Sequence, residues 1–193
     1  GGGWAGVWGG VGGSAGVEGT GEEGVGAGGK SGRAAWEVPS GGRRAVNGDS
    51  TGSGLMIMKP NSTEQRPMPK PGALGTVGWN ELQAGDLKIA WDFYSKLFGW
   101  TKGAAHDMGP MGIYQLFQID GKDVGGMMKK MDSTPMPTWA YYFIVNGIDA
   151  AAARITKAGG KIIMGPHEVP GGQWIVNGQD LQGAIFHLLS DTK

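Results

Sequence analysis

Apolar residues recur at helical spacing between Gly78 and Trp100, and the pattern changes to a period of two just before that helix. The spacing of three and four residues predicts a helix with one apolar face, which Asp86 caps at the start and Gly99 ends. The apolar helix positions are Leu87, Ala90, Trp91, Tyr94, Leu97 and Phe98. Upstream, alternation puts Val77, Trp79, Glu81 and Gln83 on one face of a strand.

The rest of the C-terminal part repeats this strand and helix order. In the first half, strands are predicted at 100–108, 113–119 and 123–130, with Asp120-Gly121 as a hairpin turn. In the second half, a strand at 139–145 precedes a helix over 149–158 that Asp149 caps, and strands follow at 161–164, 173–176 and 184–189. Asn177-Gly178 is predicted to be a second hairpin turn.

The two halves also match in sequence. IDGKDVGGMM (119–128) lies over VNGQDLQGAI (176–185) at a constant offset of 57 residues. Each half reads strand, helix, strand, strand, strand, and one such half would leave an apolar sheet face uncovered. We therefore expect an α+β fold in which two βαβββ modules, 76–131 and 138–190, form one domain over 76–190.

The N-terminal segment 1–54 differs in composition from this domain. It contains 21 of the 40 glycines and no Leu, Ile, Met, Phe or Tyr. Such a segment buries little apolar surface against a large ordering entropy, so we expect it to be disordered. One interpretation is a non-native or mistranslated extension, with translation starting near Met56 or Met58; the weaker one is a Gly-rich interaction tail. Residues 55–75 are interpreted as a Pro-rich linker.

Composition excludes several functional classes. The chain has 17 Lys and Arg against 17 Asp and Glu, so no nucleic acid or membrane partner is expected. It has no cysteine, which excludes disulfides and thiolate metal sites. No apolar run approaches the roughly 20 residues of a membrane span. With no visible signal peptide, a cytoplasmic location is expected, and a homodimer is left open.

The ordered motifs resemble the vicinal oxygen chelate superfamily, which contains glyoxalases, bleomycin-resistance proteins and extradiol dioxygenases. The resemblance rests on GWNELQAGDLKIAWDFYSKLFGW, on GGMM, and on YYFIV followed by IDAAAARITKAGGKI, and is strongest to actinobacterial two-domain, antigen-type members. It covers residues 76–190 and implies a half-open eight-stranded barrel with its site on the concave face. In those relatives another pair of modules precedes this one.

The resemblance also places metal-ligand positions on the first and last strand of each module. They fall on Trp79, Tyr142, His187 and, by the offset of 57, Lys130. Tryptophan and a cationic lysine cannot ligate a divalent metal, and tyrosine does so rarely. We therefore expect no metal and no other cofactor, with a divalent metal as the alternative.

Two polar residues are candidates for chemistry. His187 alternates with Ile185 and Leu189, so it is either a pocket base or ligand, or a histidine satisfied by its neighbours. Glu81 is either a general base with a raised pKa or a hydrogen-bond anchor. His106 and His167 are predicted to lie in solvated loops. Ligand-lining candidates, each with core packing as the alternative, are Trp79, Gln83, Tyr114, Trp139, Tyr142 and Trp174.

Two functions follow from this pattern. The first is a metal-independent module that binds a small, mostly apolar molecule, as the resemblance to resistance proteins implies. The second is a glyoxalase-like lyase or isomerase that uses Glu81 and His187, with or without a divalent metal.

Overall fold

The computed structural model describes residues 16–39, 41–61 and 69–193. The chain divides into two compact units. Unit 1 contains residues 1–68 and 81–139, and unit 2 contains residues 69–80 and 140–193. Within the described residues, none of the helices is both long enough and apolar enough to cross a membrane.

The described residues form three α-helices and eleven strands. The helices are α1 (Gly16–Gly26), α2 (Leu87–Phe98) and α3 (Ile148–Lys157). The strands are β1 (Lys30–Val38), β2 (Gly42–Gly48), β3 (Gly54–Lys59), β4 (Val77–Ala84), β5 (Thr101–Asp107), β6 (Ile113–Ile119), β7 (Lys122–Lys129), β8 (Thr138–Ile144), β9 (Lys161–Glu168), β10 (Trp174–Gln179) and β11 (Ile185–Ser190).

Two βαβββ modules are present, which confirms the predicted α+β fold. The first is β4-α2-β5-β6-β7 and the second is β8-α3-β9-β10-β11. In each module the first strand lies beside the last, and the eight strands have the order β5-β6-β7-β4-β8-β11-β10-β9. The sheet is mixed, since β11 is antiparallel to β10 but parallel to β8. The strand order has two ends, β5 and β9, as expected for a sheet that is not closed.

Helix α2 begins and ends where the sequence predicts. The Asp86 side chain accepts a hydrogen bond from the Ile89 N–H at 2.8 Å, which satisfies one of the unpaired donors at the helix start. Gly99 ends the helix in the left-handed conformation, at φ 68°. The side chains of Phe93 and Tyr94 are fully buried on its inner face.

Helix α3 begins differently from the prediction. Its N-cap is Gly147, which offers no side-chain hydrogen bond, and Asp149 lies inside the first turn. There its carboxylate can still interact favourably with the positive end of the helix dipole.

The first predicted hairpin turn is confirmed and the second is wrong. Asp120 and Gly121 have φ values of 49° and 73° and join β6 to β7. Asn177 and Gly178 instead lie inside β10, opposite His187 and Phe186 of β11. A Cβ on Gly178 would come within 2.5 Å of the Phe186 ring, so this glycine makes room for an aromatic side chain instead of forming a turn.

The constant offset of 57 residues does not describe the strand pairing. Ile119 pairs with Lys122 across residues 120–121, whereas Gln179 pairs with Ile185 across residues 180–184. The longer second turn is held by Asp180, whose carboxylate accepts the N–H groups of residues 182 and 184. The equivalence of Lys130 with His187 was derived from that offset, and the strand register does not support it.

The described part of the N-terminal segment differs from the expected disorder. Helix α1 packs against an antiparallel sheet of order β1-β2-β3, and Val17, Ala45, Leu55 and Ile57 are buried. Asp49 compensates for the scarcity of apolar residues, because its carboxyl group accepts the N–H groups of residues 51–53 and the Tyr94 hydroxyl of α2. Composition alone does not reveal this network. Residues 1–15 and 62–68 lie outside the described residues, and the boundaries at 54/55 and 75/76 stay predictions.

Candidate functional site

Strand alternation in unit 2 puts His187 on the side of the sheet opposite α3. Val176 and, in part, Leu188 pack with Ile148 and Ile155 on the α3 side. The neighbouring residues of β10 and β11 therefore point the other way. The His187 face is defined here as Trp79, Ala140, Tyr142, Ile175, Asn177, His187 and Leu189.

The imidazole of His187 is half-buried beside the ring of Tyr142. The two ring centroids lie 4.9 Å apart with an angle of 39° between the planes. Nδ1 is buried and has no hydrogen-bond partner among the described residues, and Nε2 is neither enclosed nor bonded to any of them. Burial lowers the pKa of His187 below its ordinary value of 6.5, so the ring is neutral at physiological pH.

Asn177 is a candidate site residue that the sequence reasoning missed. It lies directly opposite His187 in the antiparallel pair β10–β11, so both side chains project from the same face. Its side-chain oxygen is also buried, and within the described part of the chain it has no hydrogen-bond partner. The Asn-Gly dipeptide was interpreted as a turn; the alternation of Ile175, Asn177 and Gln179 was the signal that could have placed it on a strand.

Apolar side chains surround these two polar groups. Ala140, Tyr142, Ile175 and Leu189 form a buried cluster, and Trp79 of β4 packs against it, partly buried. The predicted lining residues Trp79 and Tyr142 are therefore brought together with His187 inside unit 2.

His167 also differs from its prediction as a loop residue. Strand β9 extends to Glu168, and His167 pairs with Ile175 of β10, which places it half-buried on the side of the His187 face. His106 lies on β5 in unit 1 and is exposed, as predicted, although in a strand.

Glu81, in unit 1, takes part in a chain of hydrogen bonds. Its two carboxylate oxygens accept from the Gln83 amide at 3.3 Å and from the Tyr114 hydroxyl at 3.2 Å. Gln83 accepts in turn from the Thr134 hydroxyl at 2.8 Å, and Lys130 donates to the Thr134 carbonyl at 2.8 Å. These contacts agree with the interpretation of Glu81 as a hydrogen-bond anchor.

Gly126 makes the Tyr114 contact sterically feasible. A Cβ at this position would lie 2.2 to 2.5 Å from the Tyr114 ring and hydroxyl. The bare backbone of β7 therefore allows the ring to lie over it and the hydroxyl to reach Glu81.

The remaining aromatic candidates, Trp139 and Trp174, pack on the helix side of the sheet in their respective units. Trp139 lies edge-on to Tyr94, Trp100 and Phe117 in unit 1, and its indole N–H donates to the Tyr94 hydroxyl at 3.0 Å. Trp174 packs on the α3 side in unit 2, with the Lys193 ammonium 4.9 Å from the centre of its ring. Core packing, the alternative stated for both, accounts for these contacts.

The implied metal positions do not fit a divalent ion. Trp79 is packed into the apolar cluster, and the Lys130 ammonium acts as a hydrogen-bond donor. Only His187 offers a strong ligand atom. In the part of the chain that the structure describes, no three His, Asp or Glu side chains are grouped so that they could hold a metal ion.

Comparison with known proteins establishes the family. The sequence model of the Glyoxalase/Bleomycin resistance protein/Dioxygenase superfamily matches residues 74–188, and the chain belongs to this superfamily.

Two curated relatives and one solved structure illustrate the relationship. The chain is 35% identical over 128 residues to the anthracycline biosynthesis protein DauV of Streptomyces sp. (strain C5), covering 59% of this chain and 46% of that protein. It is 31% identical over 160 residues to the putative glyoxylase CFP32 of Mycobacterium tuberculosis, covering 80% of this chain and 58% of that protein. The chain thus spans about half the length of the curated relatives it matches. The 2,3-dioxygenase LapB of Pseudomonas sp. KL28 shares the fold, with a TM-score of 0.63, 11% identity, and coverage of 90% of this chain and 67% of that one.

Proposed function

We propose that the His187 face binds a small, mostly apolar molecule without a metal ion. The observation that carries the proposal is a half-buried imidazole with no hydrogen bond to a described residue, surrounded by aromatic and aliphatic side chains. Small-molecule sites typically combine an apolar wall with a few polar groups that fix the orientation of the ligand. The partly buried indole of Trp79 supplies a flat surface against which a ring system can pack.

The similarity to DauV supports the proposal that the ligand is aromatic. Its name associates it with anthracycline biosynthesis, and anthracyclines are built on fused rings. A fused-ring probe such as 2-naphthol is therefore a suitable first ligand for this face.

Titration of 2-naphthol into the full chain, measured by calorimetry, tests the proposal. His187→Ala is expected to weaken binding about tenfold, because it removes both a ring contact and the polar group. His106→Ala is the matched control, since His106 is exposed on β5, and it should bind as the parent does. Equal affinity of both variants and the parent, or no binding by the parent, would contradict the proposal.

The absence of a metal requires its own measurement. Protein purified without chelators should contain far less than one zinc, nickel or iron per chain by elemental analysis. A content close to one would contradict this part of the proposal.

A lyase or isomerase activity is the second candidate. The two hydrogen bonds from Tyr114 and Gln83 support it, because they hold the half-exposed Glu81 carboxylate in one orientation, as a general base requires. If Glu81→Gln folds and binds normally but loses a turnover that the parent shows, the enzyme replaces the binding module as the proposed function.

A further inference from the structure

The unbonded atoms of Asn177 and His187 complement each other chemically. They belong to residues directly opposite in an antiparallel pair, whose Cβ atoms lie about 4.5 to 5.5 Å apart. The side-chain oxygen of Asn177 can only accept a hydrogen bond, and Nδ1 of a neutral histidine can donate one. Each atom is buried and makes no hydrogen bond to any residue that the structure describes, which is unfavourable for both. Rotation of one side chain would join them.

We propose that Asn177 is a positioning residue, which accepts a hydrogen bond from Nδ1–H of His187 and thereby leaves Nε2 as an acceptor toward the ligand. The proposal rests on the proposed function and specifies its ligand class. A neutral acceptor at Nε2 selects a molecule with a hydrogen-bond donor, such as a phenolic hydroxyl or an N–H group, over a carboxylate, which can only accept. Burial disfavours the imidazolium that would otherwise attract an anion.

The tautomer of His187 can be observed directly in the ligand-free protein. The full chain labelled with ¹⁵N-histidine gives long-range ¹H–¹⁵N correlations that identify which ring nitrogen carries the proton. The chain has three histidines, so His187→Gln assigns the signal, and exposed His106 serves as an internal reference for an unconstrained ring. The proposal expects Nδ1 of His187 to be protonated at about pH 7.5, and the opposite tautomer in the parent would overturn it.

Two substitutions of Asn177 separate positioning from packing. Asn177→Leu removes the acceptor and should shift His187 toward the Nε2–H tautomer, whereas Asn177→Asp keeps an acceptor oxygen and should retain Nδ1–H. An unchanged tautomer in a folded Asn177→Leu protein would overturn the proposal. If the Asn177→Leu protein does not fold, the tautomer observed in the parent still tests the proposal.

A matched pair of probes tests the ligand class. The parent should bind 2-naphthol about three- to tenfold more tightly than 2-methoxynaphthalene, which lacks the donor. Equal binding of both would overturn the donor preference. Failure of both probes to bind, with Nδ1 protonated, would contradict the proposed function while supporting the positioning role of Asn177.

Discussion

Glu81 on β4 and His187 on β11 are both half-buried polar side chains close to a tyrosine, yet their hydrogen bonding differs. The Glu81 oxygens accept from Tyr114 and Gln83, and the chain of bonds continues through Thr134. The side chain of His187 packs against the Tyr142 ring, and its buried Nδ1 bonds to none of the described residues.

The difference shows how to separate anchors from binding groups. A polar group whose hydrogen bonds are all made within the protein stabilises the fold and has little capacity left for a ligand. A polar group left without partners in an apolar wall reduces stability and keeps that capacity. By this criterion Glu81 is an anchor, whereas His187 and Asn177 are candidates for binding a ligand.

The largest loss of stability is expected when a fully buried anchor is substituted. Asp49 accepts the N–H groups of residues 51–53, the Thr51 hydroxyl and the Tyr94 hydroxyl. Asp49→Ala leaves these donors without an acceptor and should lower the free energy of unfolding by about 3 kcal/mol. Denaturant titration measures this value, and Asp92→Ala, at an exposed helix position, is the control with an expected change below about 1 kcal/mol. A similarly small loss for both would show that the hydrogen bonds to Asp49 do not stabilise unit 1.

A smaller loss of stability is expected on substitution of Glu81, because this side chain is only half-buried. Glu81→Leu should lower the free energy of unfolding by about 1 to 2 kcal/mol, since the Tyr114 hydroxyl and the Gln83 amide lose their acceptor. Glu81→Gln keeps one acceptor oxygen and should cost less. If Glu81→Leu does not change stability, Glu81 is not an anchor and the contrast with His187 fails.

The His187 face should respond differently, through coupling between two residues. In the hydrogen bond proposed between them, Asn177→Leu or His187→Phe alone removes one partner and leaves the other unpaired, so the double variant should be about 1 kcal/mol more stable than the sum of the single effects. Chemical denaturation of all four proteins in the cycle gives this coupling energy. Strictly additive effects would mean that the two side chains do not bond.

The smallest effect concerns pH. Burial lowers the pKa of His187 in the folded protein below the value of 6.5 for the unfolded chain. The stability associated with the neutral ring is therefore complete above about pH 6.5 and is lost as the pH falls from there through the folded-state pKa. When the free energies of unfolding at about pH 7.5 and about pH 5.5 are compared, His187→Gln should lose less stability than the parent; an equal loss would contradict the prediction.

The sequence by itself determined the two βαβββ modules, the limits of α2 and the hairpin at Asp120-Gly121. These features depend on local causes, namely apolar periodicity, a capping carboxylate and a residue pair that tolerates positive φ. Local reasoning also placed His187 on a face with Ile185 and Leu189, because strand alternation does not depend on distant contacts.

Only the tertiary structure decided the features that depend on partners remote in sequence. Asn177-Gly178 has the composition of a turn but lies in a strand, since the Phe186 ring needs the space that a side chain would fill. The described part of the glycine-rich N-terminal segment forms a helix and a sheet, and its buried Asp49 accepts a hydrogen bond from Tyr94, which lies 45 residues further along the chain. Trp139 and Tyr142 look alike in the sequence, but Trp139 packs against α2 and Tyr142 lies beside His187. A strand puts odd and even positions on opposite faces, and packing against the helices decides which face is covered.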